Sequence, residues 1–169
     1  MIDTSVLHKI SYGVYLVTSK NGERINGQIA NTVFQLTNNP IQLAISIAKT
    51  NLTHEFITQS KVFSMMILAE NWTMLDIGCF GFRCGRDIDK FVGKKYKIGN
   101  NGAPILLEKT VGYTECEVVQ TVDTGSHTLF IGQVTNSEII NKDLIPMTYA
   151  YYHRVLKGKE PKTAPTYQA

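Results

Sequence analysis

The chain has 169 residues, carries 17 Lys and Arg against 14 Asp and Glu for a formal charge of +3, and is 43% hydrophobic and 18% charged. Such a length and composition describe one globular domain whose core stands without disulfide or metal staples, which excludes intrinsic disorder and a small cysteine-knot scaffold. The charge excess lies in residues 151–169, where Arg154, Lys157, Lys159 and Lys162 meet only Glu160, so the body is neutral and lacks the basic face of a nucleic-acid binder.

The opening MIDTSVLHKISYG has neither the basic start nor the apolar run of a secretory leader. The uncharged stretch 25–48 is interrupted by amides and Pro40, so a cytoplasmic protein with no membrane segment is expected. GVYLVTS, residues 13–19, predicts a strand, and Lys20-Asn21-Gly22-Glu23 supplies the Asn-Gly pair that gives a hairpin turn its positive φ. Arg24 to Leu36 predicts a polar-rich return strand, broken by Thr37-Asn38-Asn39-Pro40, and Ile41 to Ile47 a third strand. Residues 53–57, THEFI, predict a short helix with Thr53 as N-cap. KVFSMMIL, residues 61–68, is a buried strand, and residues 71–83 a helical stretch closing on glycines. Residues 112–122 and 127–140 are long strands joined by Asp123-Thr124-Gly125-Ser126, and residues 147–156 a terminal helix.

From residue 158 onward two prolines and no apolar period predict an extended basic tail, solvated or partner-facing, after a domain of residues 1–157. Strands joined by tight turns with one helical insertion predict a mainly β fold, an antiparallel barrel with a few short helices. A dinucleotide fold is disfavoured, because regular strand–helix alternation is missing and Gly78 to Gly85, GCFGFRCG, neither follows a strand nor matches GxGxxG.

Cys79, Cys84 and Cys116 are odd in number and without CxxC spacing, so they read as reduced thiols. They and His8, His54, His127 and His153 show no metal-ligand spacing, and no metal is expected. The informative segment is Gly27 to Phe56. It carries Gln28, Asn31, Thr32 and Gln35, then Ser46, Lys49, Asn51 and Thr53. Neutral amides and hydroxyls suit a heterocycle with mixed edges without burying charge, and Lys49-Thr50-Asn51-Leu52-Thr53 adds an ammonium and the free amides of a helix start, where a phosphate fits. The bland alternative is an edge strand facing solvent. Asp87 and Asp89, on a glycine-flanked loop, read as solvated or capping residues.

Five blocks in order, NGQIANTVFQLT (26–37), AISIAKTNLTHEFI (44–57), FGFRCGRDIDKF (80–91), GSHTLFIGQV (125–134) and YYHRVLKGKEPKTAPTY (151–167), resemble the flavin reductase-like family. These are the FMN-binding split barrels, and the branch is that of flavoredoxins and the flavin domain of high-molecular-weight rubredoxins. The resemblance implies a Greek-key split barrel, a homodimer, and FMN near the subunit interface. Carried over by position, Ala30, Asn31 and Thr32 line the isoalloxazine with Gln28 beside them, Ser46, Ile47, Ala48 and Lys49 pass beneath it, and Asn51, Leu52 and Thr53 hold the phosphate. The loop Gly85 to Phe91, with Asp89 and Phe91, borders the open face. His127 lies by flavin and nicotinamide, in a block similar to the family's Gly-Asp-His motif with Ser126 in place of Asp; the serine favours a positioning role.

The implied activity is NAD(P)H-dependent reduction of flavin, or of a small or protein acceptor, by hydride transfer to flavin N5. The alternative is a flavoredoxin-like carrier passing electrons between redox proteins, a rubredoxin for example, without nicotinamide as donor. This chain has no CxxC iron site, so a rubredoxin partner is expected to be a separate protein. A reading from another class is a β-barrel binding module without catalysis; salt-dependent nucleic-acid binding would mark it.

Overall fold

The computed structural model describes residues 3–167. Strands β1 (Tyr15–Asn21) and β2 (Arg24–Ala30) form the first hairpin. Asn21 pairs with Arg24, so the loop is Gly22-Glu23, and within it only Gly22 takes positive φ, 58°. The turn is therefore shifted by one residue from the expected one: asparagine ends the strand and glycine takes the first loop position, where positive φ is required.

The single strand expected over residues 24–36 is two. β2 ends at Ala30, and β3 (Val33–Asn38) starts after Asn31-Thr32 and pairs with β4 (Ile41–Ala48). The bend satisfies its own backbone, since Val33 N–H donates to Asn31 O and Ser46 N–H to Thr32 O, both at 3.2 Å. The remaining elements are an N-terminal 3-10 helix (Thr4–Lys9), α1 (Leu52–Ser60), β5 (Val62–Leu68), α2 (Met74–Gly81), β6 (Tyr96–Ile98), β7 (Pro104–Leu106), β8 (Thr110–Asp123), β9 (His127–Ile139) and α3 (Tyr149–Arg154).

One antiparallel sheet runs β2-β1-β5-β8-β9-β4-β3, and β6-β7 is a separate two-stranded ribbon. The two edge strands, β2 and β3, are consecutive in the chain with only Asn31-Thr32 between them, so the sheet curls until its edges meet. The result is the expected Greek-key split barrel with a few short helices.

Side chains alternate across this wall. Val17, Phe63, Met65, Ile45, Ile47, Cys116 and Phe130 fill the barrel, whereas Leu16, Met66 and Leu68 point outward under Trp72, Ile77, Phe80, Phe91 and Tyr152. Burial on both faces is why KVFSMMIL reads as an unbroken apolar run. Gly132 is required in the barrel wall, because a Cβ there would lie 2.5 Å from the Phe63 ring. Helix α2 starts one residue after its N-cap Thr73, closed by a capping box with Asp76. Burial alone would raise the Asp76 carboxyl, but hydrogen bonds from Lys109, Thr73 and Lys94 outweigh it and hold the group well below the ordinary range. Among the described residues no helix is long and apolar enough to cross a membrane.

Candidate functional site

A cleft opens where β2, β4, the start of α1, the end of α2, the loop 84–90, α3 and residues 159–165 converge. Gln28, Ile29 and Ala30 from β2, Asn31 from the bend, and Ser46 and Ala48 from β4 line the cleft, the β4 pair following the strand's period of two. Ile47, between the last two, points into the barrel and is fully buried, so its side chain does not line the cleft.

Asn51, Leu52 and Thr53 also line the cleft, but the helix cap is Asn51 and not Thr53. Asn51 makes no side-chain cap bond; its Nδ2 donates to Gln28 Oε1 at 3.1 Å. Thr53 sits one residue inside the helix, 1% exposed, and its Oγ1 accepts from Asn26 Nδ2 at 2.9 Å. The first-turn amides of Leu52 and Thr53 thus keep the unpaired donors that every helix start offers an anion.

Thr32, Lys49, Asp89 and Phe91 are not brought to the cleft. Thr32 lies in the bend and donates through Oγ1 to Asn31 Oδ1 at 3.2 Å. Lys49 is drawn away by Asp123, with Nζ 2.7 Å from Oδ1. Asp89 Oδ1 accepts from Phe91 N at 2.9 Å, a capping role, and the Phe91 ring packs at 5.4 Å from Phe80 and 5.2 Å from Tyr96.

The residue between them is the one sequence reasoning missed. Lys90 is 5% exposed and lines the cleft, and its Nζ donates to Gly27 O at 2.9 Å and Phe80 O at 3.3 Å. Burial pushes its pKa down to about 8, against smaller opposing contributions from Cys79 and Cys84. No carboxylate pairs with it among the described residues, so a cation faces the cleft with one N–H left over. Nothing in the spacing of FRCGRDIDKF separates Lys90 from Arg83 or Arg86; only the fold does. Cys84 lines the cleft as well, whereas Cys116 is buried in the barrel and its thiol is pushed up to about 12 by burial. Gly85 lets the loop approach β2, since a Cβ would overlap the Asn26 carboxamide. Arg86 fastens that loop to the turn before α1 through Thr50 O at 3.1 Å and to α1 itself through Glu55 Oε2 at 3.2 Å.

His127 lies one residue outside the lining, paired across the sheet with Ala48. Its Nε2 is 3.2 Å from Thr163 O and its Nδ1 2.8 Å from Ser126 Oγ. A carbonyl only accepts, so Nε2 carries a proton and donates to Thr163 O, while Ser126 Oγ holds the ring from the other side. His54 bonds through Nε2 to Thr128 Oγ1 at 2.8 Å; burial lowers its pKa, with Lys49 and His127 adding to the shift.

The segment expected to be an extended tail, solvated or partner-facing, forms the far wall. Tyr152 Oη donates to Lys159 O at 2.7 Å, Asn31 Nδ2 donates to Thr166 Oγ1 at 2.8 Å, and Tyr149 Oη lies 3.0 Å from the same hydroxyl. Burial pushes the Tyr149 and Tyr152 phenols up, which keeps both neutral. The donor set is therefore neutral amides and hydroxyls along one wall, aromatic rings along another, and one buried ammonium near a helix start. That chemistry fits a flat heterocycle with an anionic end.

A family model described as flavin reductase like domain matches residues 7–159. The chain is 49% identical over 166 residues to a high molecular weight rubredoxin of Moorella thermoacetica, covering 98% of this chain and 72% of that protein. It is 44% identical over 166 residues to a ferric-chelate reductase (NAD(P)H) of Archaeoglobus fulgidus, covering 98% of each. Among solved structures, an FMN-binding protein from Thermus thermophilus with bound p-hydroxybenzaldehyde has a TM-score of 0.72 at 25% identity, covering 80% of this chain and 75% of that one.

Proposed function

Because the chain belongs to the flavin reductase-like family and is a flavin-dependent oxidoreductase, we propose that it holds FMN and moves electrons from NAD(P)H to a flavin, small-molecule or protein acceptor. The observation that carries this reading is the meeting of the β2 amides with Lys90 and the α1 start in one cleft. A bound flavin supplies the ring that accepts hydride and releases electrons. The protein's part is placement. Gln28, Asn31 and Ser46 donate to and accept from the ring edges without buried charge, and Ala30 and Ala48 are small enough for a plane to lie along the strands. Lys90, the Leu52 and Thr53 amides and Asn51 answer the anionic end.

His127, held from both nitrogens, stands at the mouth as a positioning group for the incoming nicotinamide. The chain is a homodimer in this reading. Outward rows of the sheet, Phe34-Ala44-Ile131 and Ser46-Leu129-Val122, continue from the cleft and leave Phe34 and Val122 exposed, a face that a second copy covers. A second reading, electron transfer to an acidic redox protein, is favoured by exposed Lys157, Lys159 and Lys162 beside the cleft.

Stopped-flow reduction of the FMN-loaded protein by NADPH and NADH tests the assignment. His127→Ala is expected to slow flavin reduction by about tenfold or more, and to weaken FMN binding less, by about threefold. An unaltered rate constant would remove His127 from the reaction.

A further inference from the structure

Residues 158–166 turn back sharply at Lys157, whose φ is 55°, and at Gly158, where a Cβ would overlap the Tyr152 ring. The segment is then tied at both ends and in the middle. Gly158 N–H donates to Tyr152 O at 3.1 Å and Tyr152 Oη to Lys159 O at 2.7 Å. Glu160 Oε1 lies 3.2 Å from His153 Nε2, and Thr163 O accepts from His127 Nε2 at 3.2 Å. Thr166 Oγ1 ends the run between Asn31 and Tyr149, at 2.8 and 3.0 Å. Pro161 and Pro165 limit the conformations that this ordering gives up. Two of these tethers run from the strap to the opposite wall, one to Asn31 in the bend after β2 and one to His127 at the start of β9, beside Ala48 of β4.

We propose that Lys159–Thr166 is a retention strap that keeps flavin resident in the cleft, so that the protein passes electrons outward from a held cofactor and does not release reduced flavin. The proposal rests on the flavin reading of the cleft. Retention acts on the dissociation rate, because each tether broken before exit lowers the open population. The His127 tether also couples the strap to the mouth: with Nε2 engaged on Thr163, the imidazole faces an incoming nicotinamide in one fixed orientation.

The test compares FMN dissociation, followed by recovery of free-flavin fluorescence after dilution, in the full chain and in a chain ending at Glu160. The shortened chain keeps the Tyr152 and His153 tethers. Its FMN is expected to leave about tenfold faster or more, and added free FMN to become a substrate for turnover. Thr166→Val in the full chain is expected to act in the same direction by about threefold, and Thr166→Ser to restore the original rate; this pair decides the matter if the shortened chain does not fold. FMN binding with unchanged dissociation in these variants overturns the strap alone. Failure of the full chain to bind FMN overturns the reading of the cleft itself.

Discussion

Lys90→Met is expected to weaken FMN binding by about tenfold or more while the flavin-free protein remains folded. Methionine matches the length of the stem but removes the ammonium that faces the cleft and donates to Gly27 O and Phe80 O. Two opposed effects leave stability little changed. The two carbonyls lose a donor, and the desolvation of a charge that is only 5% exposed disappears. The same residue sets a pH dependence. In the free cleft Lys90 titrates at about 8, and a bound anionic group raises that value, so FMN affinity is full below pH 8 and declines above it. Stability moves the other way. The folded pKa lies below the unfolded value of about 10.4, so between these values the unfolded chain binds more protons and stability rises with pH. Fluorescence titrations at pH 7 and pH 9 on both proteins check this, and a Lys90→Met affinity equal to the original at both would remove Lys90 from the site.

The largest stability loss is expected at Phe130. The ring is 1% exposed inside the barrel, among Val17, Ile45, Phe63 and Cys116, and lies 5.2 Å from the His54 ring. Phe130→Ala removes a full aromatic side chain from a closed wall of strands that cannot collapse around the void. The expected loss is about 3–5 kcal/mol. For a chain of this size it lowers Tm by roughly 10 °C. Urea unfolding gives the free energy directly. A loss under about 1 kcal/mol would show that the barrel interior is not where the core energy resides.

What could be read from the residues follows from how each signal is generated. The hairpins and the KVFSMMIL strand were legible because alternation, apolar runs and Asn-Gly or Asp-Thr-Gly turns arise from local backbone chemistry. The break at Asn31-Thr32 was not, since both residues also suit a strand, and the chain bends there to close the sheet. The polar character of Gln28, Asn31, Ser46, Asn51 and Thr53 located one wall of the cleft. Taking Ser46 to Lys49 as one block, however, overlooked that alternate residues of a strand face opposite ways, which sends Ile47 into the barrel, while Asp123 holds Lys49 away. Lys90 was invisible because its burial is made by α2 and β2 together and not by its neighbours in sequence. The strap is hidden for a different reason. Prolines and lysines give it the composition of a solvated tail, whereas its tethers are the Lys159 and Thr163 carbonyls, the Glu160 carboxylate and the Thr166 hydroxyl, which composition does not register.

Anaerobic titration of the FMN-loaded protein with NADPH, and separately with NADH, followed by flavin absorbance, tests the central claim most directly. The account predicts that the oxidised flavin band bleaches in proportion to the nicotinamide added with at least one of the two. A bound flavin that stays oxidised in excess of both would contradict it.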